Sequence, residues 1–307
     1  MSKGKIFREA MKRGMVAAPG CYDCVGARAI ERAGFDAVYM TGAGTAASLG
    51  YPDYGIVTMT EMAENAGRIA RAIKMPVIAD ADTGYGNELN VTRTVREYES
   101  RGVAAIHIED QVAPKRCGHV AGKEIISLEE AVGKYRAAVK VRNALDPDFV
   151  LIARTDARGV AGGSVDEVIR RANAYLEAGV DVVFPEGLVD SGEIGRVCRA
   201  VKAPILYNRT GISANLSLDE LKTLGVAIVA NANGALRAAS RAMWDYLHEF
   251  KREDAALERR LKEELKNHPV GDFHAFVGFP AIRKLEEEFL PREEMLRKYE
   301  GSLGFKP

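Results

Sequence analysis

Eight short apolar runs, each followed by a stretch of helical period, constrain this chain more than any other feature. They are Met15–Pro19, Ala37–Met40, Val77–Ala81, Ala105–Ile108, Val150–Ala153, Val182–Phe184, Ile205–Tyr207 and Ala227–Ala230. Such runs lack polar alternation, so each reads as a strand covered on both faces, the condition of a parallel sheet flanked by helices. The helices between them carry start signals. Thr58-x-x-Glu61, Ser127-x-x-Glu130, Ser164-x-x-Glu167 and Ser217-x-x-Glu220 have the capping-box pattern, in which hydroxyl and carboxylate satisfy orphan amides reciprocally. Gly34, Gly102, Gly179 and Gly225 each stand where a helix must stop before the next apolar run. Eight such units in about 250 residues predict a (β/α)8 TIM barrel. The competitor is an open doubly wound sheet, which the absence of G-x-G-x-x-G between the first strand and helix weakens.

The pattern changes towards the C-terminus. Residues 1–245 read as the barrel and 246–307 as a helical extension. Asp245–Asn267 and Ala281–Tyr299 have helical period, separated by an irregular His268–Pro280 segment. This is more helix than one barrel position needs, which suggests packing on a partner subunit; a solvated terminal hairpin is the alternative. Lysine plus arginine equals aspartate plus glutamate at 43 each, so no global field attracts nucleic acid or an anionic membrane. A small anionic substrate therefore needs a local arrangement of positive groups. No stretch approaches the ~18 apolar residues of a membrane span, and Met1–Arg13 has no secretory h-region. A soluble, cytoplasmic protein is expected. Among the cysteines, Cys21-Tyr-Asp-Cys24 matches the C-x-x-C redox spacing, but nothing nearby completes such a motif, and buried structural thiols are the better reading.

In a barrel of this kind, chemistry sits at the C-terminal ends of the strands. The second strand delivers Tyr39 and then Thr41-Gly42-Ala43-Gly44, whose amides can approach a ligand closely. The third ends in Asp80-Ala-Asp82-Thr-Gly84, and residues two apart on a strand point the same way. The fourth ends in His107-Ile-Glu109-Asp110, the fifth in Arg154-Thr155-Asp156, the sixth in Glu186 and the seventh in Asn208-Arg209-Thr210. Like charges converging on one rim repel unless a cation joins them. All-oxygen donors without a histidine cluster predict Mg²⁺, or Mn²⁺, at Asp80, Asp82 and Glu109. In the loop after the fourth strand, Lys115-Arg116-Cys117-Gly118-His119 surrounds one thiol with cations, which should lower its pKa and ready it for proton exchange.

These motifs, with Tyr39–Gly44, Asp80-Ala-Asp-Thr-Gly-Tyr-Gly86 and His107-Ile-Glu-Asp-Gln111, resemble the isocitrate lyase/phosphoenolpyruvate mutase superfamily from Gly20 to about Met243. Within it, the Lys-Arg-Cys-Gly-His loop looks like the lyase signature of the 2-methylisocitrate lyases and the 2,3-dimethylmalate lyase/oxaloacetate hydrolase group. The resemblance implies Mg²⁺ held directly by Asp80 and through water by Asp53, Asp82 and Glu109. It places the 2-oxo acid half of a substrate at Tyr39, Thr41, Gly42, Ala43 and Arg154. The other half falls to Glu186, Asn208, Thr210 and Arg237. Cys117 becomes the general acid on a closing loop that also carries Lys115, Arg116, Gly118 and His119. A homotetramer is implied, with the last barrel helix exchanged between paired subunits.

The expected chemistry is retro-aldol cleavage of a small 2-hydroxy di- or tricarboxylate, with Tyr39 a candidate base. 2-Methylisocitrate, cleaved to pyruvate and succinate, comes first. 2,3-Dimethylmalate or oxaloacetate follows closely, because Gly211 stands where an acidic residue is expected in methylisocitrate lyases and Thr41 replaces their serine. The rivals are P–C bond chemistry on a phosphonate, against which Cys117 argues, and a non-catalytic metal-binding barrel, against which the complete acid set argues.

Overall fold

Each apolar run becomes a strand. The computed structural model describes residues 1–304. Its strands are β1 (Val16–Cys21), β2 (Val38–Met40), β3 (Val77–Asp80), β4 (Ala105–Glu109), β5 (Val150–Thr155), β6 (Val182–Pro185), β7 (Leu206–Asn208) and β8 (Ile228–Asn231). All pair in parallel in the order β6-β5-β4-β3-β2-β1-β8-β7. The ring closes through a parallel bridge between Val183 on β6 and Ile205, just before β7. The predicted (β/α)8 barrel is thus the fold, and strand bounds fall within a residue or two of the apolar runs.

The helices flanking the strands start as their caps dictate. Thr58 and Ser217 make full reciprocal boxes at α4 (Met59–Ala72) and α9 (Leu218–Leu224). Ser127 and Ser164 cap α6 (Leu128–Leu145) and α7 (Val165–Glu177) from one side only. At α7 the reason is visible: the Glu167 carboxylate is taken by Arg170 and Arg171. The four stop glycines have positive φ, as left-handed terminators should.

Two elements lie outside the sequence reading. The charged N-terminus forms α1 (Lys3–Arg13), whose Phe7 and Ala10 are buried with Val16, Ile78, Ala105, Ile152 and Val182. Thr41–Gly44 is not a loop but the start of α3 (Gly42–Ser48), with the Thr41 hydroxyl accepting from the Gly44 amide.

Chain contacts divide into two units, Met1–Ala238 and Ala239–Pro307. The break lies inside α10 (Gly234–Glu253), a few residues before the boundary the composition suggested. The second unit continues through α11 (Ala255–Glu264), α12 (Phe273–Val277), α13 (Phe279–Phe289) and α14 (Arg292–Tyr299). Leu257 and Phe276 are buried in it, while Met243, Trp244, Leu247, Ile282 and Phe289 are exposed. Among the described residues, no helix is long and apolar enough to cross a membrane.

Candidate active site

Strand geometry brings most of the predicted residues to one rim. Tyr39 is on β2, Asp80 ends β3, Glu109 ends β4, Arg154 is on β5, Glu186 follows β6 and Asn208 ends β7. All six are buried. Asp82 reaches the same rim by a different route from the one its spacing suggested. The strand stops at Asp80, and Asp82 sits in a left-handed turn with φ 44°. That conformation costs a non-glycine residue energy and marks a constrained site. The turn is fixed by the Asp82 amide donating to Asp80 Oδ1 at 3.0 Å.

The Gly42 amide donates to Asp80 Oδ2 at 3.1 Å, so it orients the carboxylate rather than standing free for a ligand. A Cβ at Gly42 would lie 2.3 Å from that oxygen, which is why the position needs glycine. Tyr39 meets His107 Nε2 through its hydroxyl at 2.6 Å, and the two rings stack. Burial, reinforced by Asp80, holds the Tyr39 phenol well above its ordinary pKa. Burial also pushes His107 down to about 4, so its ring is neutral.

The electrostatics of the acids is the central feature. Burial pushes Asp82 up to about 6 and Glu109 well above the carboxylate range. Asp80 is held low against the cost of burial by His107, Lys115 and Arg154. Glu109 Oε1 is buried without a partner, and Glu109 Oε2 and Asp82 Oδ1 are buried with only the cation of an ion pair beside them. Buried carboxylates in that state call for a cation. Lys115 supplies one: its ammonium lies 2.5 Å from Asp53 and 3.0 Å from Asp82. Arg154 supplies the other, 3.1 Å from Glu109, 2.9 Å from Asp156 and 3.6 Å from Glu186. Among the described residues, no three acidic, histidine or cysteine side chains already converge at metal-ligand spacing. The donor chemistry nonetheless fits a hard divalent ion, because Glu109 Oε1 is left without a partner and a lysine ammonium stands among the other carboxylate oxygens where such an ion would.

The Cys117 loop lies over this rim. Its ends pair where the Val112 amide donates to Glu124 O at 2.9 Å, and the Cys117 amide donates to Asp53 O at 3.1 Å. Cys117, Gly118 and His119 join Tyr39, Thr41, Ala43, Asp53, Asp80, Arg154, Glu186, Asn208 and Thr210 around a hollow of about 30 Å³. That is room for little more than water, so substrate enters only when the loop lifts. The thiol corrects the sequence expectation. Burial raises the Cys117 pKa, with Asp53 adding to it, and together they outweigh Lys115 and Arg154. A thiol kept protonated is suited to giving a proton.

His119 Nε2 lies 3.0 Å from the Thr210 hydroxyl and 3.9 Å from Glu186, and burial keeps its ring neutral by lowering its pKa. Glu186 also accepts from Asn208 and Ser213, each at 3.4 Å. Gly42, Asp82, Glu109 and Lys115 lie buried behind the lining of the hollow, and two further predicted residues stand outside the buried site altogether. Arg116 is exposed and lies 5.5 Å over the Tyr54 ring. Arg237 is exposed and lines an adjoining hollow of about 310 Å³ with Arg209, Thr210 and Asn233. Ser213 and Asn233 join the site without having been singled out, since neither belongs to a chemical motif. Asp156 was visible at its strand tip but had no assigned partner there.

The profile of the phosphoenolpyruvate phosphomutase family matches residues 7–251. The 2,3-dimethylmalate lyase of Eubacterium barkeri is 44% identical over 293 residues, covering 94% of this chain and 99% of that protein. The 2-methylisocitrate lyase of Aeropyrum pernix is 40% identical over 305 residues, covering 97% and 95%. The crystal structure of a 2,3-dimethylmalate lyase, described as a PEP mutase/isocitrate lyase superfamily member, superposes with a TM-score of 0.89 at 36% identity, covering 99% of both chains. That of phosphonopyruvate hydrolase in complex with oxalate and Mg²⁺ superposes at 0.83 with 31% identity, covering 95% of this chain and 100% of the other. This chain belongs to the phosphoenolpyruvate mutase/isocitrate lyase superfamily, among its carbon–carbon lyases.

Proposed function

We propose that the enzyme cleaves the C2–C3 bond of a small 2-hydroxy acid carrying a carboxylate on C3, releasing pyruvate and a second carboxylate. The observation that carries this reading is the juxtaposition of a buried acid rim, the Arg154 guanidinium and a protonated Cys117 thiol around one hollow. Asp80, with Asp53, Asp82 and Glu109 about it, would hold Mg²⁺ or Mn²⁺, which when bound lowers the cost of ionising a 2-hydroxyl and compensates carboxylate charge. The relative crystallised with oxalate and Mg²⁺ supports that choice of ion.

The chain's own groups supply the rest. Electrons of the ionised C2 oxygen form the new carbonyl as the C2–C3 bond breaks. Arg154, kept cationic by Asp156, Glu109 and Glu186 in spite of burial, stabilises developing oxygen charge. The departing fragment is a carbanion conjugated with its carboxylate, and Cys117 protonates it on carbon. The loop excludes water while this happens. His119, Thr210, Asn208, Ser213 and Glu186 bind the departing half. Tyr39 serves as base only once the charge on Asp80 is compensated, because that charge helps hold its proton.

Geometry favours a dicarboxylate such as 2,3-dimethylmalate, cleaved to pyruvate and propionate. Arg237, the cation for a third carboxylate, stands outside the closed hollow, and the His119 ring lies against Gly211 where a longer substrate would extend. 2-Methylisocitrate is the second reading, favoured by the adjoining hollow with Arg209 and Arg237. A homotetramer in the cytoplasm, formed by exchanging the C-terminal helices, is part of the proposal, supported by the exposed Met243, Trp244 and Leu247. The test is a panel of hydroxy acids, oxaloacetate and phosphonates with Mg²⁺, reading pyruvate or oxalate release. Turnover of 2,3-dimethylmalate or 2-methylisocitrate is expected; turnover of a phosphonate alone contradicts the assignment.

A further inference from the structure

We propose that Lys123 is a positioning residue that latches the Cys117 loop over the reaction core. This rests on the lyase reading only through Cys117, and its test can be read without turnover.

Lys123 lies on the returning limb of the loop, one residue before the Val112–Glu124 pairing. Its side chain is 2% exposed. Its ammonium donates to the Gly118 carbonyl and lies 3.3 Å from Asp156 Oδ1, itself fully buried. A buried ammonium survives only where its partners are fixed, and removing one partner leaves an uncompensated charge. Here one partner belongs to the loop and the other to the barrel, so this single cation joins the two.

The point of attachment matters. Gly118 separates Cys117 from His119, so fixing its carbonyl fixes the peptide between the thiol and the imidazole. Asp156 is also the carboxylate that grips Arg154, at 2.9 and 3.2 Å. The same acid therefore sets the substrate-facing guanidinium and, through Lys123, the loop above it. Other pins act at separate places: Lys115 pairs with Asp53 and Asp82, and His119 meets Thr210. The Gln111 side chain bonds the Arg116 amide and carbonyl, at 3.0 and 2.9 Å, and the Asp53 carbonyl takes the Cys117 amide. Of these, Lys123 alone reaches the Gly118 peptide. The fold also leaves it space: a Cβ at Gly159 would lie 2.7 Å from the Lys123 ammonium nitrogen.

The test compares wild type with Lys123→Met, Lys123→Arg and Gly159→Ala. Iodoacetamide alkylation of Cys117 is followed by mass spectrometry, alongside kcat, KM and the melting temperature. With the latch cut, the loop spends more time lifted, and Cys117 in Lys123→Met is alkylated about tenfold faster at temperatures well below its melting point, where Asp156 stays paired with Arg154 and the barrel stays folded. A loose loop misplaces the thiol, so kcat falls by about 10²-fold while KM moves far less. Lys123→Arg keeps the cation and restores most of both. Gly159→Ala displaces the ammonium without removing it and shifts alkylation in the same direction, which keeps the test decisive if Lys123→Met does not fold. An unaltered Cys117 alkylation rate in the folded variants overturns the proposal, whatever happens to activity or stability. Faster alkylation in an enzyme that turns over no hydroxy acid would leave the latch standing and refute the lyase reading alone.

Discussion

Cys117 illustrates how one residue's surroundings can reverse the argument from its neighbours in sequence. Lys115, Arg116 and His119 suggest a lowered thiol pKa, yet Arg116 turns outward, burial neutralises His119, and Lys115 is committed to Asp53 and Asp82. Desolvation then wins, and the thiol stays protonated at neutral pH. Alkylation of Cys117 in wild type should therefore be slow near pH 7 and climb only above the ordinary thiol value of about 8.5. A plateau already reached at pH 7 would contradict this. Replacing Cys117 with serine should lower kcat by about 10²–10⁴-fold with substrate affinity largely kept, the signature of a lost proton donor. Its neighbour offers a steric test. A Cβ at Gly118 would lie 2.4 Å from Arg154 Nη2 and 2.8 Å from Glu186 Cγ, both held by ion pairs. Gly118→Ala should raise the loop and cost about 10²-fold in kcat. Its melting temperature should stay near wild type, because the loop yields and the barrel does not.

At the scale of elements, the strands were legible because a strand buried on both faces leaves an uninterrupted apolar run. Burial along β3, β4 and β5 is complete, and their ends delivered Asp80, Glu109 and Arg154 to the site as read. What stayed hidden depends on contacts between segments distant in sequence. Helix α1 buries only Gly4, Phe7 and Ala10, too little to register in a pattern of charges. Phe7 is nonetheless fully buried among the barrel's inward residues. Phe7→Ala should cost about 3–5 kcal/mol in urea unfolding; a loss below 1 kcal/mol would show that α1 does not seal the core. The Asp82 turn was equally invisible, since alternation places it correctly for the wrong reason. Lys123 escaped because its partners, Gly118 and Asp156, meet it only in three dimensions.

At the scale of the whole molecule, the barrel carries a concentration of charge that it stabilises incompletely by itself. Burial raises Asp82 from an unfolded value of about 3.9 to about 6. A carboxylate raised in this way favours the folded state below its unfolded pKa. That contribution is lost as pH rises from there through 6, after which the full cost of the buried charge remains. A divalent ion offsets that cost only once the carboxylates are ionised. Millimolar Mg²⁺ should therefore raise the melting temperature by several degrees at pH 8 and by little at pH 5; equal shifts at both would place the ion elsewhere. The most direct test of the account is anomalous diffraction from crystals soaked with Mn²⁺ and oxalate. A manganese peak is expected within bonding distance of Asp80, with the Lys115 ammonium moved aside and the Cys117 loop seated above. A rim without manganese, or a peak bound away from Asp80, Asp82 and Glu109, would contradict it.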